Sequence, residues 1–281
     1  MQWRGPVKCR SLENSGFVWG RQWFWRDGGL PQKPLSPTEK FRVPLQPIAV
    51  QRFCLATAFN FKHEQRMNGH SFTLAGAQLT ALGSGALWWA DEGLLCVSDL
   101  HLGKSERMAR RGGTLLPPYE TSETLTRLDA DIAAMRPQTV ICLGDSFDDL
   151  AAAELDDTHS LWIARMMAGR RWIWIEGNHD PGPLGLGGEH RADLRMDALV
   201  FRHIAVPGTT GEVSGHYHPK ARLAGQSRRC FLIDNMRAIL PAYGTYTGGL
   251  ASQSTAFSDL MGPEALAVLT GKTAQAIPMP R

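Results

Sequence analysis

Residues 94–101 read Leu94-Leu95-Cys96-Val97-Ser98-Asp99-Leu100-His101. Four apolar residues in a row end on a carboxylate and, two positions on, an imidazole. A short apolar run with this kind of stop suits a strand buried on both faces, as in a parallel sheet covered on each side. The same pattern recurs down the chain. Thr139–Leu143 is followed by Gly144-Asp145, and Arg171–Glu176 by Gly177-Asn178-His179-Asp180. Leu199-Val200-Phe201-Arg202 is followed by His203, and Glu212-Val213-Ser214 by Gly215-His216-Tyr217-His218. Polar side chains just past the carboxyl ends of parallel strands are where α/β proteins build their sites. A lone Asp-x-His or a lone His carries little weight, since either is common on a surface. Gly-Asn-His-Asp directly after a buried strand is stronger, because those four residues serve no packing purpose. Five such blocks in one order are poorly explained by packing alone.

Working outward, Phe72–Ala75, Leu87–Ala90 and Leu94–Ser98 read as strands between glycine-rich turns. Tyr119–Met135 follows Pro117-Pro118 and carries Leu125, Leu128, Ile132 and Met135 at helical spacing. Leu161–Ala168 reads as a short helix, and Ala198–Phe201, Val213–Gly215 and Phe231–Asp234 as later strands. No internal repeat is visible. Strands alternating with helices, then mostly strands, predict an α/β fold of two packed mixed β-sheets flanked by helices.

The chain has 281 residues, 43% hydrophobic and 20% charged, a balance that excludes wholesale disorder. No run of 18 apolar residues is present, and the start lacks a secretory pattern. Five scattered cysteines form no disulfide framework and no Cys-x-x-Cys pair, so they read as reduced thiols of a cytoplasmic protein. The net charge of +3 is uneven. Residues 1–66 hold 11 Lys and Arg against 4 Asp and Glu, a net of +7, and the remaining residues hold 19 against 23, a net of −4. The first segment also carries Trp3, Trp19, Trp23, Trp25 and six prolines, with no sustained period. A basic, tryptophan-bearing arm could touch nucleic acid by charge and stacking. The favoured expectation is a poorly ordered extension over 1–66 and a catalytic domain over 67–281.

Asp, Asn and His offer oxygen and nitrogen ligands without thiolate. That set disfavours structural zinc and suits a catalytic pair of divalent ions, Mn²⁺ first, with Fe or Zn²⁺ as alternatives. A carboxylate can bridge two ions about 3.5–4 Å apart, and such a pair clamps a phosphoryl group and acidifies water. The reaction class is hydrolysis of a phosphate ester.

The five blocks resemble the calcineurin-like metallophosphoesterase superfamily, whose pattern is D-x-H, GD-x-x-D, GNH[DE], H and GH-x-H. By that resemblance Asp99, His101 and His218 hold one metal ion, Asn178, His203 and His216 hold the second, and Asp145 bridges them. His179 is the implied general acid, with Asp180 orienting its ring by a hydrogen bond. Asp148 fills the last position of GD-x-x-D and is expected to support a ligand. Within the superfamily, DLHLGK, RRGGTLLPPYET, CLGDSFDDL, GNHDP, GEVSGHYHP, RRCF and LPAYGTYTGGL resemble the PdeM subfamily of ligase-associated DNA-damage-response endonucleases. The resemblance implies a DNA substrate and association with a DNA ligase, a helicase and an exonuclease. A small-molecule phosphatase or nucleotide phosphodiesterase on the same fold is the alternative, as is a non-catalytic scaffold of a repair complex. The complete ligand set weighs against the scaffold.

Four cations close behind His101, namely Lys104, Arg107, Arg110 and Arg111, have two readings: a solvated helix face or a guide for a phosphate backbone. Glu154, Asp156, Asp157 and His159 read as a solvated polar face. Cys96 and Cys142 read as small core residues. Tyr243–Gly249 reads either as a site rim or as a plain turn.

Overall fold

The computed structural model describes residues 68–113, 116–149, 155–182 and 185–281, so the expectation of an extension over 1–66 lies outside the described residues. Two mixed sheets form, as the sequence predicts. The first has strand order β1(Gly69–Leu74), β2(Ala77–Leu82), β3(Leu87–Trp89), β4(Leu94–Val97), β5(Thr139–Leu143), β6(Arg171–Ile175) and β7(Glu189–Arg191). Its strands β1 to β4 pair antiparallel and β4 to β7 parallel. The second sheet draws on β8(Asp193–Met196), β9(Leu199–Arg202), β10(Glu212–Ser214), β11(Lys220–Leu223), β12(Gln226–Ile233), β13(Arg237–Ile239), β14(Leu266–Leu269) and β15(Gln275–Pro278). Their order is β15-β14-β12-β13-β10-β9-β8, with β11 hairpinned onto β12.

The alternation of strand side chains sorts the apolar residues into three layers. Ile141 and Leu143 of β5, Ile173 and Ile175 of β6, Phe201 of β9, and Phe231 and Ile233 of β12 meet in one core between the sheets. Their strand neighbours Val140, Cys142, Trp172 and Trp174 face outward, under α2(Glu120–Met135) and α3(Asp157–Met167), which contribute Leu125, Leu128, Ile132, Ile163 and Met166. Cys230 and Leu232 face the opposite way, against Phe257, Leu260 and Met261. Among the described residues this last layer holds a single 3₁₀ turn, Thr255–Phe257, and no α-helix. Each fully buried Leu, Ile or Phe here is worth about 1.5–3 kcal/mol against exposure.

Helix α3 starts earlier than its apolar spacing predicts. Asp156 caps it by accepting the His159 N–H at 2.9 Å, and the acidic Asp157 occupies the first turn, where the helix dipole favours a negative charge. Asp156, Asp157 and His159 therefore form a helix start rather than an undifferentiated polar face. His159 Nε2 also meets Ser122 Oγ at 2.8 Å, tying α3 to α2. A short helix, α1(Lys104–Arg110), follows the first motif, and Glu120 of α2 accepts both the N–H and the hydroxyl of Ser105. The parallel strands β4, β5 and β6 of one sheet and β9 and β10 of the other deliver all five motifs from their carboxyl ends.

Candidate metal centre

The turn after each strand is bent to aim a side chain. Nine non-glycine residues have positive φ among the described residues, and five of them are Asp99, His101, Asp145, His216 and His218. Left-handed backbone is uncommon outside glycine, and its concentration at one place marks a site that the surrounding fold holds in position. The motif glycines supply room. A Cβ on Gly177 would collide with the Asp145 backbone and the Asp180 carboxylate, and one on Gly215 would strike Ser98 Oγ and Asp99.

Two clusters result. In the first, His218 Nε2 lies 3.1 Å from Asp99 Oδ1 and 3.3 Å from His101 Nε2. In the second, His203 Nε2 lies 3.0 Å from Asn178 Oδ1, 3.2 Å from His216 Nδ1 and 3.4 Å from Asp145 Oδ2. The same Asp145 Oδ2 lies 3.9 Å from His101 Nε2, so one carboxylate oxygen faces both clusters. The structure thus brings Asp99, His101, Asp145, Asn178, His203, His216 and His218 together. Asp99–His101–His218 and Asp145–His203–His216 each converge tightly enough to share an ion, and so does a third set, His101–Asp148–His179.

Hydrogen bonds fix which ring nitrogen of His203 and His101 is free. His203 Nδ1–H donates to the Leu143 carbonyl at 2.8 Å, and His101 Nδ1–H donates to Asp148 Oδ1 at 2.9 Å. Both Nε2 lone pairs therefore point at another imidazole nitrogen, and a cation between them satisfies both. Asp99 and Asp145 are buried, and they face backbone N–H groups, the Ser98 hydroxyl and histidines. Burial opposes ionisation of Asp145, but the hydrogen bond and charge of His203 outweigh it and hold the carboxyl below its ordinary range. For Asp99, burial is outweighed in the same way by His218. Two buried anions ringed by imidazoles, with no Lys or Arg paired to them among the described residues, are a donor set that fits divalent metal ions.

The remaining residues of the expected site take different places. His179 Nδ1–H donates to the Asp148 carbonyl at 2.8 Å, its Nε2 sits 4.0 Å from Asp145 Oδ2, and its ring meets His101 edge-on. Asp180 does not orient that ring. Its carboxylate accepts the N–H groups of Asp145, Ser146, Phe147 and Gly177, at 2.8–3.3 Å, and so holds the two motif turns together. Burial, with the Asp145 charge beside it, pushes the Asp180 carboxyl up to about 6 against the pull of those donors. Asp148 receives His101, Arg107 and, at 3.7 Å, Lys104. Sequence reasoning left Tyr243 and Gly244 undecided. Their N–H groups donate to the Ser98 and Asp99 carbonyls at 2.8 and 3.0 Å and clamp the first motif from behind. Cys96 and Cys142 lie in the core, where burial pushes both thiols up. A cleft of about 380 Å³ opens beside the second cluster, lined by Asn178, His203, Pro181, Arg202 and Ile204 among others.

Comparison with known proteins agrees with this geometry. The crystal structure of Pseudomonas putida nuclease MPE matches with a TM-score of 0.60 and 26% identity, over 74% of this chain and 100% of that one. A comparison with curated proteins gives no match. The pattern of the calcineurin-like phosphoesterases matches residues 94–244, which include every motif described above. The chain belongs to the calcineurin-like phosphoesterase family and is a metal-dependent hydrolase of phosphoric esters.

Proposed function

We propose that the protein is a phosphodiesterase of the endonuclease type that cuts DNA during repair, in the cytoplasm, in company with a ligase-associated set of ligase, helicase and exonuclease. The observation that carries the reading is Asp145, whose one carboxylate oxygen faces both histidine clusters. Likeness to a nuclease supports the DNA substrate. The partners rest on the resemblance carried by RRGGTLLPPYET and YGTYTGG, and the compartment on the cysteine pattern.

In this reading Asp99, His101 and His218 hold one divalent ion, Asn178, His203 and His216 hold the other, and Asp145 touches both. Manganese is the first candidate, since the donor set is oxygen and nitrogen without sulfur. When bound, such ions polarise a phosphoryl oxygen and lower the pKa of water. The chain's own residues do the rest. The Asp148 carboxylate and the Leu143 carbonyl keep the His101 and His203 rings in register. With its Nδ1–H committed to the Asp148 carbonyl, His179 presents Nε2 to the reacting group, where it can carry a proton to the leaving oxygen.

The test is hydrolysis by the manganese-loaded protein of circular single-stranded DNA, duplex DNA, cyclic nucleotides and bis(p-nitrophenyl) phosphate. Linearisation of the circle is the expected result. Turnover confined to cyclic nucleotides and bis(p-nitrophenyl) phosphate would overturn the DNA reading in favour of a small-molecule phosphoesterase. Retention of ligase or helicase from a lysate tests the partners.

A further inference from the structure

The sequence offers α1 as the basic face beside the site, but the fold sets each of its cations against a carboxylate. Lys104 and Arg107 lie against Asp148, and Arg110 and Arg111 against Asp149, with Glu106 also 3.9 Å from Arg110. The cations without a carboxylate partner are elsewhere. Strands β11 and β12 form a hairpin that begins two residues after His218, and residues 219–233 contain no Asp or Glu. Its two-residue turn is Ala224-Gly225, both with positive φ, the signature of a tight primed turn that fixes register. That register sets Lys220 directly opposite Arg229 and Arg222 opposite Ser227, all on one face of the ribbon. Like charges set opposite one another cost stability. Among the described residues, none of Lys220, Arg222 and Arg229 has a carboxylate within ion-pairing distance.

The polar groups these cations do touch belong to the segment behind the first ligand motif. Arg229 donates to the Thr245 carbonyl at 2.7 Å, and Lys220 Nζ lies 3.5 Å from the Thr247 carbonyl. Arg127 of α2 donates to Thr245 Oγ1 at 3.1 Å and to the Tyr243 carbonyl at 2.8 Å, and its charge bears on Arg229. Glu123 is the acid that faces Arg229, at longer range, and Asp131 faces Arg127. The adjoining Gly244 N–H holds Asp99 in place. A row of cations, Arg222–Lys220–Arg229–Arg127, therefore runs along the segment that backs the first ligand motif.

We propose that this hairpin face binds the sugar–phosphate backbone of a single nucleic-acid strand flanking the bond to be cut, and that α1 does not. The proposal deepens the nuclease reading and rests on it for the identity of the polyanion. Repeated phosphates fit a row of cations spaced along one ribbon, and the repulsion between Lys220 and Arg229 is relieved when an anion lies between them. Tyr246, half-buried in the same segment, offers a ring to a neighbouring base.

The test uses the full chain in EDTA, so that binding is read without turnover, with a fluorescent single-stranded oligonucleotide titrated at several salt concentrations. Lys220→Gln and Arg222→Glu are compared with Arg110→Ala and Arg111→Ala. The +7 of residues 1–66 is common to all variants and cancels in the comparison. Each hairpin cation removed should flatten the slope of log affinity against log salt by about 0.7, and the α1 variants should match wild type. Hydrolysis of bis(p-nitrophenyl) phosphate, too small to reach the hairpin, should persist in Arg222→Glu and reports that the fold is intact. Unchanged slopes in the hairpin variants, weaker binding in the α1 variants, or no binding by wild type at low salt would each overturn the proposal. Reduced slopes in a protein that leaves DNA uncut would instead keep the strand-binding face and remove the nuclease reading.

Discussion

The two ligand clusters are built alike but anchored differently. His203 of the second cluster gives its Nδ1–H to a main-chain carbonyl, that of Leu143 at the buried end of β5. His101 of the first cluster gives its Nδ1–H to a side chain, the Asp148 carboxylate, which also carries Arg107 and Lys104 of α1. No substitution removes a backbone carbonyl, so the second anchor is part of the sheet itself. The first can be lost by changing one residue, and its negative charge makes the imidazole a stronger donor to a metal. The first cluster is therefore the adjustable one, and through Asp148 its electrostatics are coupled to a surface helix.

That comparison can be broken or sharpened in several ways. Asp145→Asn should strike both clusters together, because one oxygen faces each. Metal content by elemental analysis should fall at both, by more than the roughly 10–100-fold in affinity that loss of an outer partner costs, and turnover should vanish. Retention of one ion at full strength would show that Asp145 serves only one cluster. His179→Ala should leave metal content intact while lowering turnover about 10²–10⁴-fold on a nucleotide ester, with a smaller loss on a nitrophenyl ester, whose leaving group needs no proton. An equal loss on both esters would give His179 a positioning role. Asp148→Asn should weaken one ion by about 10–100-fold and spare the other, visible as two separated binding phases in a metal titration. Parallel weakening of both phases would erase the asymmetry argued above.

Smaller effects follow. Chelation should lower the melting temperature, since an ion at 100 times its Kd stabilises the folded chain by about 2.7 kcal/mol. Asp148→Asn should show a smaller metal-dependent shift than wild type, and an equal one would mean that the first cluster does not bind the stabilising ion. A chain beginning at Met67 should keep both its melting temperature and its turnover on bis(p-nitrophenyl) phosphate, and a drop in either would show that residues 1–66 support the domain.

The residues that converge in the two clusters were legible because each motif follows a buried apolar run. Thr139–Leu143 and Arg171–Ile175 announce their strands by composition, and Gly-Asp and Gly-Asn-His-Asp have no packing reason to follow them. Helix α2 was legible from its spacing. The edge strands β7 and β8 were not, because Glu-His-Arg and Asp-Leu-Arg-Met acquire their extended form from pairing with β6 and β9. The role of Asp180 was hidden because three of its four partners are backbone N–H groups of residues more than thirty positions away. The same limit applies to charge. The sequence left the cations of α1 as either a solvated face or a phosphate guide, and the pairing with Asp148 and Asp149 that offsets part of their charge exists only after folding.

Neither cluster belongs to one sheet. Asp99 and His101 leave the first sheet and His218 leaves the second, and Asp145 and Asn178 are likewise joined by His203 and His216. The apolar layer between the sheets thus acts as a spacer that sets how far apart the donors stand. Phe201 and Phe231 lie in that layer, and their volume gauges the gap across which the two sets of donors face each other. Tolerance to mutation in this core should be narrower for catalysis than for folding, since a slip of the sheets by a fraction of an ångström leaves the hydrophobic layer closed while detuning the grip.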